Sequence, residues 1–349
     1  MNADRPHPPF SDEDVAWMDL ALTEAARGVG LTSPNPPVGA VLVKDGELLG
    51  KGWHRRAGEA HAEIAALADA RQCHLPDAIV GATLYVTLEP CSTIGRTGAC
   101  TDAITAVGIA RVVVGAVDPN PAHAGAGLDQ LRLKGIEVDS GCREAEASQL
   151  IRFFAKHMTT GRPFVIAKSA ITLDGRTVLR EGDGPWISSE ASREDVQRLR
   201  RSVDAILVGG ETVRRDNPRL TLRGDFAHDR PQPWRVVLSS RDLPAECHLL
   251  SDDHQDRTLV FHDRTLDDAL ADLGARGVQS VLIESGGRLF QHAISGGWVD
   301  EVVLYIAPLL GGSTHHLFPV DNLVADLVDV EWLAIGPDLR LTGRPKLRL

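Results

Sequence analysis

The sequence predicts two consecutive α/β domains, and three observations carry that reading. The chain has 349 residues, and domains run to roughly 100–200 residues each. Apolar strand-like runs alternate with helical runs in both halves. Residues 159–163, Thr-Thr-Gly-Arg-Pro, punctuate the alternation with Gly and Pro before an apolar pattern restarts at Phe164. The domains are accordingly set at residues 11–158 and 163–349.

The first half opens with a helix. Ser11 and Asp14 form a capping pair in which Asp stands for the usual Glu or Gln, and Val15, Met18, Leu22 and Ala25 follow at helical spacing to about Ala26. Asp45-Gly46 between residues 38–43 and 47–52 is a hairpin signal. An Ala-rich helix is expected over 61–70, a strand over 83–87, a helix over 100–107 and a strand over 111–117. Further helices are expected over 128–134 and 143–157, and the sheet is expected to be mixed. In the second half, strand-like runs recur at 164–169, 205–208, 235–239, 258–261, 280–283 and 301–306. Helical segments fall between several of them, notably at 192–201 and 266–275. The chain has neither an internal repeat nor a low-complexity segment.

Composition narrows the function. A chain that is 43% hydrophobic and 24% charged is an ordinary globular one. No run of about 18 apolar residues exists, so no membrane span is expected. Residues 1–10 are polar, with Pro6, Pro8 and Pro9 and without a signal-type apolar stretch, so a cytoplasmic protein is expected. A net charge of −11 is the wrong sign for a nucleic-acid partner. Five cysteines, an odd and sparse set, point to metal binding or burial rather than a disulfide framework.

The chemistry of the first half lies in His61-Ala62-Glu63, Pro90-Cys91 and Cys100. An imidazole and two thiolates are good zinc ligands, and three protein ligands leave a fourth position for water. Zinc lowers the pKa of such a water to about 7. A carboxylate two residues from the ligating His can carry its proton to departing ammonia. Zinc deaminases show H-x-E followed by P-C-x-x-C, with the Glu an acid/base and not a ligand. Here the two cysteines stand nine apart instead of three. Singly, each residue could be a solvated or core residue. Together, with Thr87-Leu88-Glu89-Pro90-Cys91 directly after a strand, they predict one Zn²⁺ per chain.

Further motifs carry a resemblance. Ser33-Pro34-Asn35-Pro36-Pro37-Val38-Gly39-Ala40, Gly58-Glu59-Ala60-His61-Ala62-Glu63, Thr87 to Ser92, Gly95-Arg96-Thr97, Cys100 and Asp118-Pro119-Asn120-Pro121 resemble the bifunctional deaminase–reductase family of riboflavin biosynthesis. These enzymes are diaminohydroxyphosphoribosylaminopyrimidine deaminases joined to 5-amino-6-(5-phosphoribosylamino)uracil reductases. The resemblance runs from about Asp14 to the C-terminus, and the long Cys–Cys spacing is the family's own. It implies a cytidine-deaminase-like three-layer domain followed by a dihydrofolate-reductase-like domain, in a homo-oligomer. By position it makes His61, Cys91 and Cys100 zinc ligands and Glu63 the proton carrier. Asn35 would hydrogen-bond the pyrimidine, while His54 and Arg96 would face the ribose phosphate. The chain departs from the family at Thr93 and Ile94, where His and then His or an aromatic are usual. It departs again at Gly98-Ala99, where Pro-Pro is usual, and at Ala65, often His or Asn.

In the second half, Gly209-Gly210 and Gly286-Gly287 each follow a strand run and could admit a diphosphate to the backbone. Ordinary strand-to-helix turns would look the same. Lys168 on an apolar strand is unusual for a purely structural position. The resemblance implies an NADPH site lined by Ala170, Trp186, Thr212, Asp216, Ser240, Gly286, Gly287, Arg288, Leu289, Phe290, Gln291 and His292. It implies substrate contacts from Lys168, Arg200, Leu220, Arg223 and Glu284. Arg200 could equally be a helix-surface charge beside Arg198 and Arg201. Gly184-Pro185 replaces the polar pair usual before the Trp. The expected function is hydrolytic deamination of 2,5-diamino-6-ribosylamino-4(3H)-pyrimidinone 5′-phosphate, then NADPH reduction of the ribosyl group to ribityl. The partners are small phosphorylated pyrimidines. The rival readings are a reductase with an impaired deaminase half, a nucleotide-binding regulator with structural zinc, and a nucleic-acid base deaminase.

Overall fold

Ser11 caps the first helix as its spacing predicts. Its hydroxyl accepts from the Asp14 N–H at 3.0 Å, the Asp14 carboxylate accepts from the Ser11 N–H at 3.2 Å, and the helix runs Asp12–Ala26. In this computed structural model, residues 10–93, 98–179, 186–311, 315–318 and 325–348 are described. The chain divides into two units, Met1–Thr160 and Gly161–Leu349.

Strands β1 (Gly39–Lys44), β2 (Glu47–Trp53), β3 (Thr83–Leu88), β4 (Arg111–Ala116) and β5 (Glu137–Ser140) form the first sheet, in the order β2-β1-β3-β4-β5. The β1–β2 hairpin turns at Asp45 and Gly46, both at positive φ, and β3, β4 and β5 are parallel. Strand alternation separates the layers. Ala40, Leu42, Leu84, Val86, Val112 and Val114 pack against Ala66, Ile104 and Leu131 of the helices Ala62–Cys73, Cys100–Ala106 and Ala126–Leu133. Val41, Val43, Tyr85 and Val113 face the opposite way, against Met18 and Ala21 of the first helix. The result is three layers.

Two details differ from the sequence reading. The helix expected over 143–157 is two helices, Glu144–Leu150 and Arg152–Thr160, broken at Ile151. Ile151 is buried with Leu88, Ala116 and Ala147, so packing overrides helical continuity there. Strand β5 carries too few apolar residues to be seen as a pattern.

The second unit holds β6 (Phe164–Thr172), β7 (Ala205–Gly209), β8 (Trp234–Ser239), β9 (Thr258–His262), β10 (Ser280–Glu284), β11 (Glu301–Ala307), β12 (Ala325–Ile335) and β13 (Asp338–Leu347). Their order is β12-β13-β11-β6-β10-β7-β8-β9. All neighbours from β11 to β9 are parallel, and β13 and β12 close one edge as an antiparallel hairpin. That hairpin was missed in sequence because β12 is largely exposed and lacks a one-sided apolar pattern. Val165, Ala167, Val281 and Ile283 pack against the helices Leu266–Ala275 and Gly287–Ser295. The alternate residues, Lys168 and Glu284 among them, point to the face covered by the helix Glu190–Ser202, whose Arg200 and Asp195 reach the sheet. Among the described residues, no helix is long and apolar enough to cross a membrane.

Candidate functional site

Two helix starts and one strand end converge in the first unit. His61 is the N-cap of the helix Ala62–Cys73, Cys100 is the first residue of the helix Cys100–Ala106, and Cys91 lies three residues beyond β3. The first of these helices lies close on β2 because Gly50 and Gly52 carry no side chain. A Cβ on Gly52 would come within 2.4 Å of Ala66 N, and one on Gly50 within 2.5 Å of Ala70 N. Larger residues would lift the helix, and His61 and Glu63 with it.

The ligating atoms of His61, Cys91 and Cys100 all lie within 4.8 Å of one another. His61 Nδ1 is 3.2 Å from Cys100 Sγ and 3.5 Å from Cys91 Sγ, and the Cys100 N–H donates to Cys91 Sγ at 3.4 Å. The contact with Cys100 and the His61 imidazole pull the Cys91 thiol down to about 4, and helix starts favour a thiolate. One imidazole and two thiols, clustered without a disulfide, fit zinc. Glu63 is 3% exposed, and burial pushes its carboxyl above the usual range. A carboxyl beside the ligating histidine is a group that can take up and release a proton.

Glu89, quoted only as part of a motif, organises the rim. Its buried carboxylate accepts from the backbone N–H groups of Asp118 (3.0 Å), Gly125 (2.9 Å) and Gly127 (2.7 Å). This ties the Asp118-Pro-Asn-Pro segment to the strand end that bears Cys91. In the sequence its only signal is an acid directly before Pro-Cys.

His54 is tied into the wall behind Asn35. It is 3% exposed, and both ring nitrogens are engaged, Nδ1 with the Ala60 carbonyl and Nε2 with Asn35 Nδ2, each at 3.0 Å. A carbonyl only accepts, so Nδ1 carries the hydrogen and Nε2 accepts from the amide. Burial lowers the pKa of this ring. In this arrangement the ring holds the amide of half-buried Asn35. Thr93 is exposed. Ile94, Arg96, Gly184 and Pro185 lie outside the described residues.

In the second unit, Lys168 and Glu284 are register partners on β6 and β10. Arg200 clamps Glu284 through Nε–Oε1 at 2.5 Å and Nη2–Oε2 at 2.9 Å, and donates to the Thr221 carbonyl at 3.2 Å. It is therefore no helix-surface charge. Burial lowers the Lys168 pKa, opposed by Glu284, while Arg200 holds the Glu284 carboxyl down against its own burial. Arg223 is exposed, and its charge also acts on Glu284. Leu220 is buried at φ 51°, so only its backbone can meet a ligand.

Gly209 and Gly286 are both helix N-caps, of Gly210–Asp216 and Gly287–Ser295, without a side-chain cap. Ser285 Oγ, next to Gly286, is buried and has no hydrogen-bond partner among the described residues. Free backbone N–H groups next to an unsatisfied hydroxyl fit an anionic group such as a cofactor diphosphate. Trp186 is 59% exposed beneath the Arg193 guanidinium, and Asp216 and Ser240 are exposed. Thr212 and Ala170 are half-buried, as are Gly287 and Leu289 in the glycine turn, while Arg288 and His292 are exposed. Phe290 has its side chain fully buried in the core, edge-on to Phe318 at 5.9 Å, so only its backbone can face a cofactor. Gln291 is buried as well.

Known proteins share this arrangement. Residues 11–116 match the cytidine and deoxycytidylate deaminase zinc-binding region, and residues 163–341 match the RibD C-terminal domain. The riboflavin biosynthesis protein RibD of Synechocystis is 40% identical, over 95% of this chain and 96% of its own. The chain belongs to the RibD family. RibD of Escherichia coli is 39% identical, covering 94% of this chain and 98% of that protein. The structure of Acinetobacter baumannii RibD superposes with a TM-score of 0.85 at 37% identity, over 96% of this chain and 99% of that one. A Thermotoga maritima diaminohydroxyphosphoribosylaminopyrimidine deaminase/5-amino-6-(5-phosphoribosylamino)uracil reductase gives 0.82 at 34%, over 95% and 99%. Like these RibD proteins, the chain is a riboflavin-biosynthesis enzyme with a zinc-binding deaminase domain and a reductase domain.

Proposed function

We propose that residues 11–158 deaminate 2,5-diamino-6-ribosylamino-4(3H)-pyrimidinone 5′-phosphate and that residues 163–349 then reduce the ribosyl group of the product with NADPH. The observation that carries the first step is the gathering of His61, Cys91 and Cys100 within 4.8 Å next to buried Glu63. Zinc, when bound by these three, supplies activation of water for attack on the amine-bearing ring carbon. Glu63 takes the proton of that water and passes it to the nitrogen, so that a C–O bond forms, the C–N bond breaks and ammonia leaves. Asn35, its amide fixed by His54, reads the pyrimidine edge. Arg96 meets the phosphate.

In the second step NADPH supplies the hydride. The uncapped turn at Ser285, Gly286 and Gly287 would hold its diphosphate, with Thr212, Asp216 and Trp186 along its length. Lys168 and the Arg200–Glu284 pair would offer a cation and a carboxylate to the sugar hydroxyls. Exposed Arg223 would meet the phosphate. Holding the opened sugar beside the nicotinamide does most of the work, since orientation alone is worth several orders of magnitude in rate. The five free cysteines fit a reducing, cytoplasmic setting.

The test is an assay with the phosphorylated diaminopyrimidine and NADPH, followed separately for ammonia and for NADPH loss. Both signals, in that order of dependence, are expected. No ammonia from zinc-loaded protein, with NADPH loss restored once pre-deaminated substrate is supplied, would leave a reductase alone.

A further inference from the structure

Lys168 has a neighbour that the substrate reading does not use. Its Nζ sits 5.8 Å from the centre of the Tyr305 ring. Tyr305 lies on β11, two residues beyond Val303, the register partner of Lys168, so both side chains occupy the same face of the sheet. The ring is fully buried. Its hydroxyl donates to Asp195 Oδ2 at 2.6 Å, and Arg340, its register partner on β13, donates to the same oxygen at 3.0 Å. Asp195 is buried on the helix Glu190–Ser202, five residues before Arg200. One helix thus grips the sheet twice, through Arg200 on Glu284 and through Asp195 on Tyr305, and Lys168 stands between the two grips. Glu284 draws the ammonium from one side, and the electron-rich face of a ring that cannot turn supports it from the other.

We propose that Tyr305, locked by Asp195 and Arg340, is a positioning residue for the reductase step, holding the Lys168 ammonium where it meets the sugar. The proposal rests on the reading of Lys168 as a substrate-contacting residue. It calls for the aromatic face first and the hydroxyl tether second. Tyr305→Phe keeps the face and drops the tether; Tyr305→Leu drops both. Tyr305→Met is the second variant, because its flexible side chain fills the space should the Leu variant not fold.

Full-length variants are assayed for NADPH oxidation on pre-deaminated substrate, for ammonia release and for thermal melting. Tyr305→Leu and Tyr305→Met should lower the reductase kcat by about 3- to 30-fold, the range of cation–π contacts from exposed to desolvated. Tyr305→Phe should stay within about three-fold and above both. The KM for NADPH and the rate of ammonia release should not move. Equal losses in all three variants, or losses that follow melting temperature, would overturn the positioning role. Lys168→Met separates the two levels. If it leaves reduction intact, the reading of Lys168 fails and this role with it. If it abolishes reduction while Tyr305→Leu and Tyr305→Met turn over normally, only the role of Tyr305 fails.

Discussion

His61, Cys91 and Cys100 lie within 4.8 Å with one another as neighbours, whereas Glu284 is held by Arg200, with Lys168 beside the pair as a second cation. The first group is a set of soft donors suited to a metal ion, and a dication completes it. The second needs no ion, because its carboxylate is already held by a guanidinium fork. Removing one member therefore has different consequences. At the zinc site a lost donor releases the ion and the fold around it persists. At the reductase site a lost partner strands a buried charge.

The largest effects expected follow from the first case. Glu63→Gln should keep zinc and fold, and should lower ammonia release by about 10²–10⁴-fold, the usual share of a general acid–base group. NADPH oxidation on pre-deaminated substrate should not change; equal loss of both activities would merge the two sites into one. Cys91→Ala should take zinc from about one per chain to none by elemental analysis. Cys142→Ala should keep it, because Cys142 is buried against the first helix, its thiol 3.8 Å from the Asp14 carbonyl.

The reductase site tests the other half of the comparison. Glu284→Ala leaves Arg200, whose side chain is 12% exposed, without its partner. Breaking such a pair from one side costs about 3–5 kcal/mol, so a lower denaturation midpoint and a raised reductase substrate KM are expected together. Arg200→Ala with Glu284→Ala should recover part of the stability and none of the KM. An unchanged midpoint in Glu284→Ala would show that the pair is solvated.

These two sites were unequally legible in the sequence. The zinc donors sit on short motifs next to element ends, so residue type and spacing nearly specify the chemistry. What spacing could not show was which hydrogen bonds the neighbours had already spent: His54 bonds Asn35 and Ala60, and Glu89 bonds three backbone groups. The reductase site is assembled by register between strands far apart in sequence, such as Lys168 with Glu284, and by one helix laid across them. Nothing local marks Arg200 as an inward-facing arginine among Arg198 and Arg201. The glycine turns after β7 and β10 are strand-to-helix turns, as an ordinary reading of them would have it, and only the unpartnered Ser285 hydroxyl adds a cofactor signal. The fold class was readable because both halves alternate periods of helix and strand. The β12–β13 edge was not, because an exposed strand has no buried face to impose a pattern.

The smallest expected effect comes from a device that both units contain. Asp14 on the first helix accepts from the Tyr85 hydroxyl at 2.9 Å and from Arg111 at 2.7 Å, just as Asp195 accepts from Tyr305 and Arg340. In the first unit this triad lies on the sheet face opposite the helix that carries Glu63, so its task is to pin a helix. Burial alone would raise the Asp14 carboxyl; Arg111, Ser11 and Tyr85 outweigh it and bring the group from its ordinary 3.8 to about 2. A carboxyl depressed by folding stabilises the native state above its unfolded pKa, and that contribution disappears as pH falls through the folded value. The stabilisation, about 2 kcal/mol at one pKa unit per 1.36 kcal/mol, is thus complete near pH 5 and lost between about pH 4 and 2. Melting curves of the wild type and Asp14→Asn, taken from pH 6 to pH 2.5, should converge toward the acid end as the wild type loses what the variant never had. Curves that stay parallel over that range would place the acid sensitivity of this unit elsewhere and leave Asp14 a neutral cap.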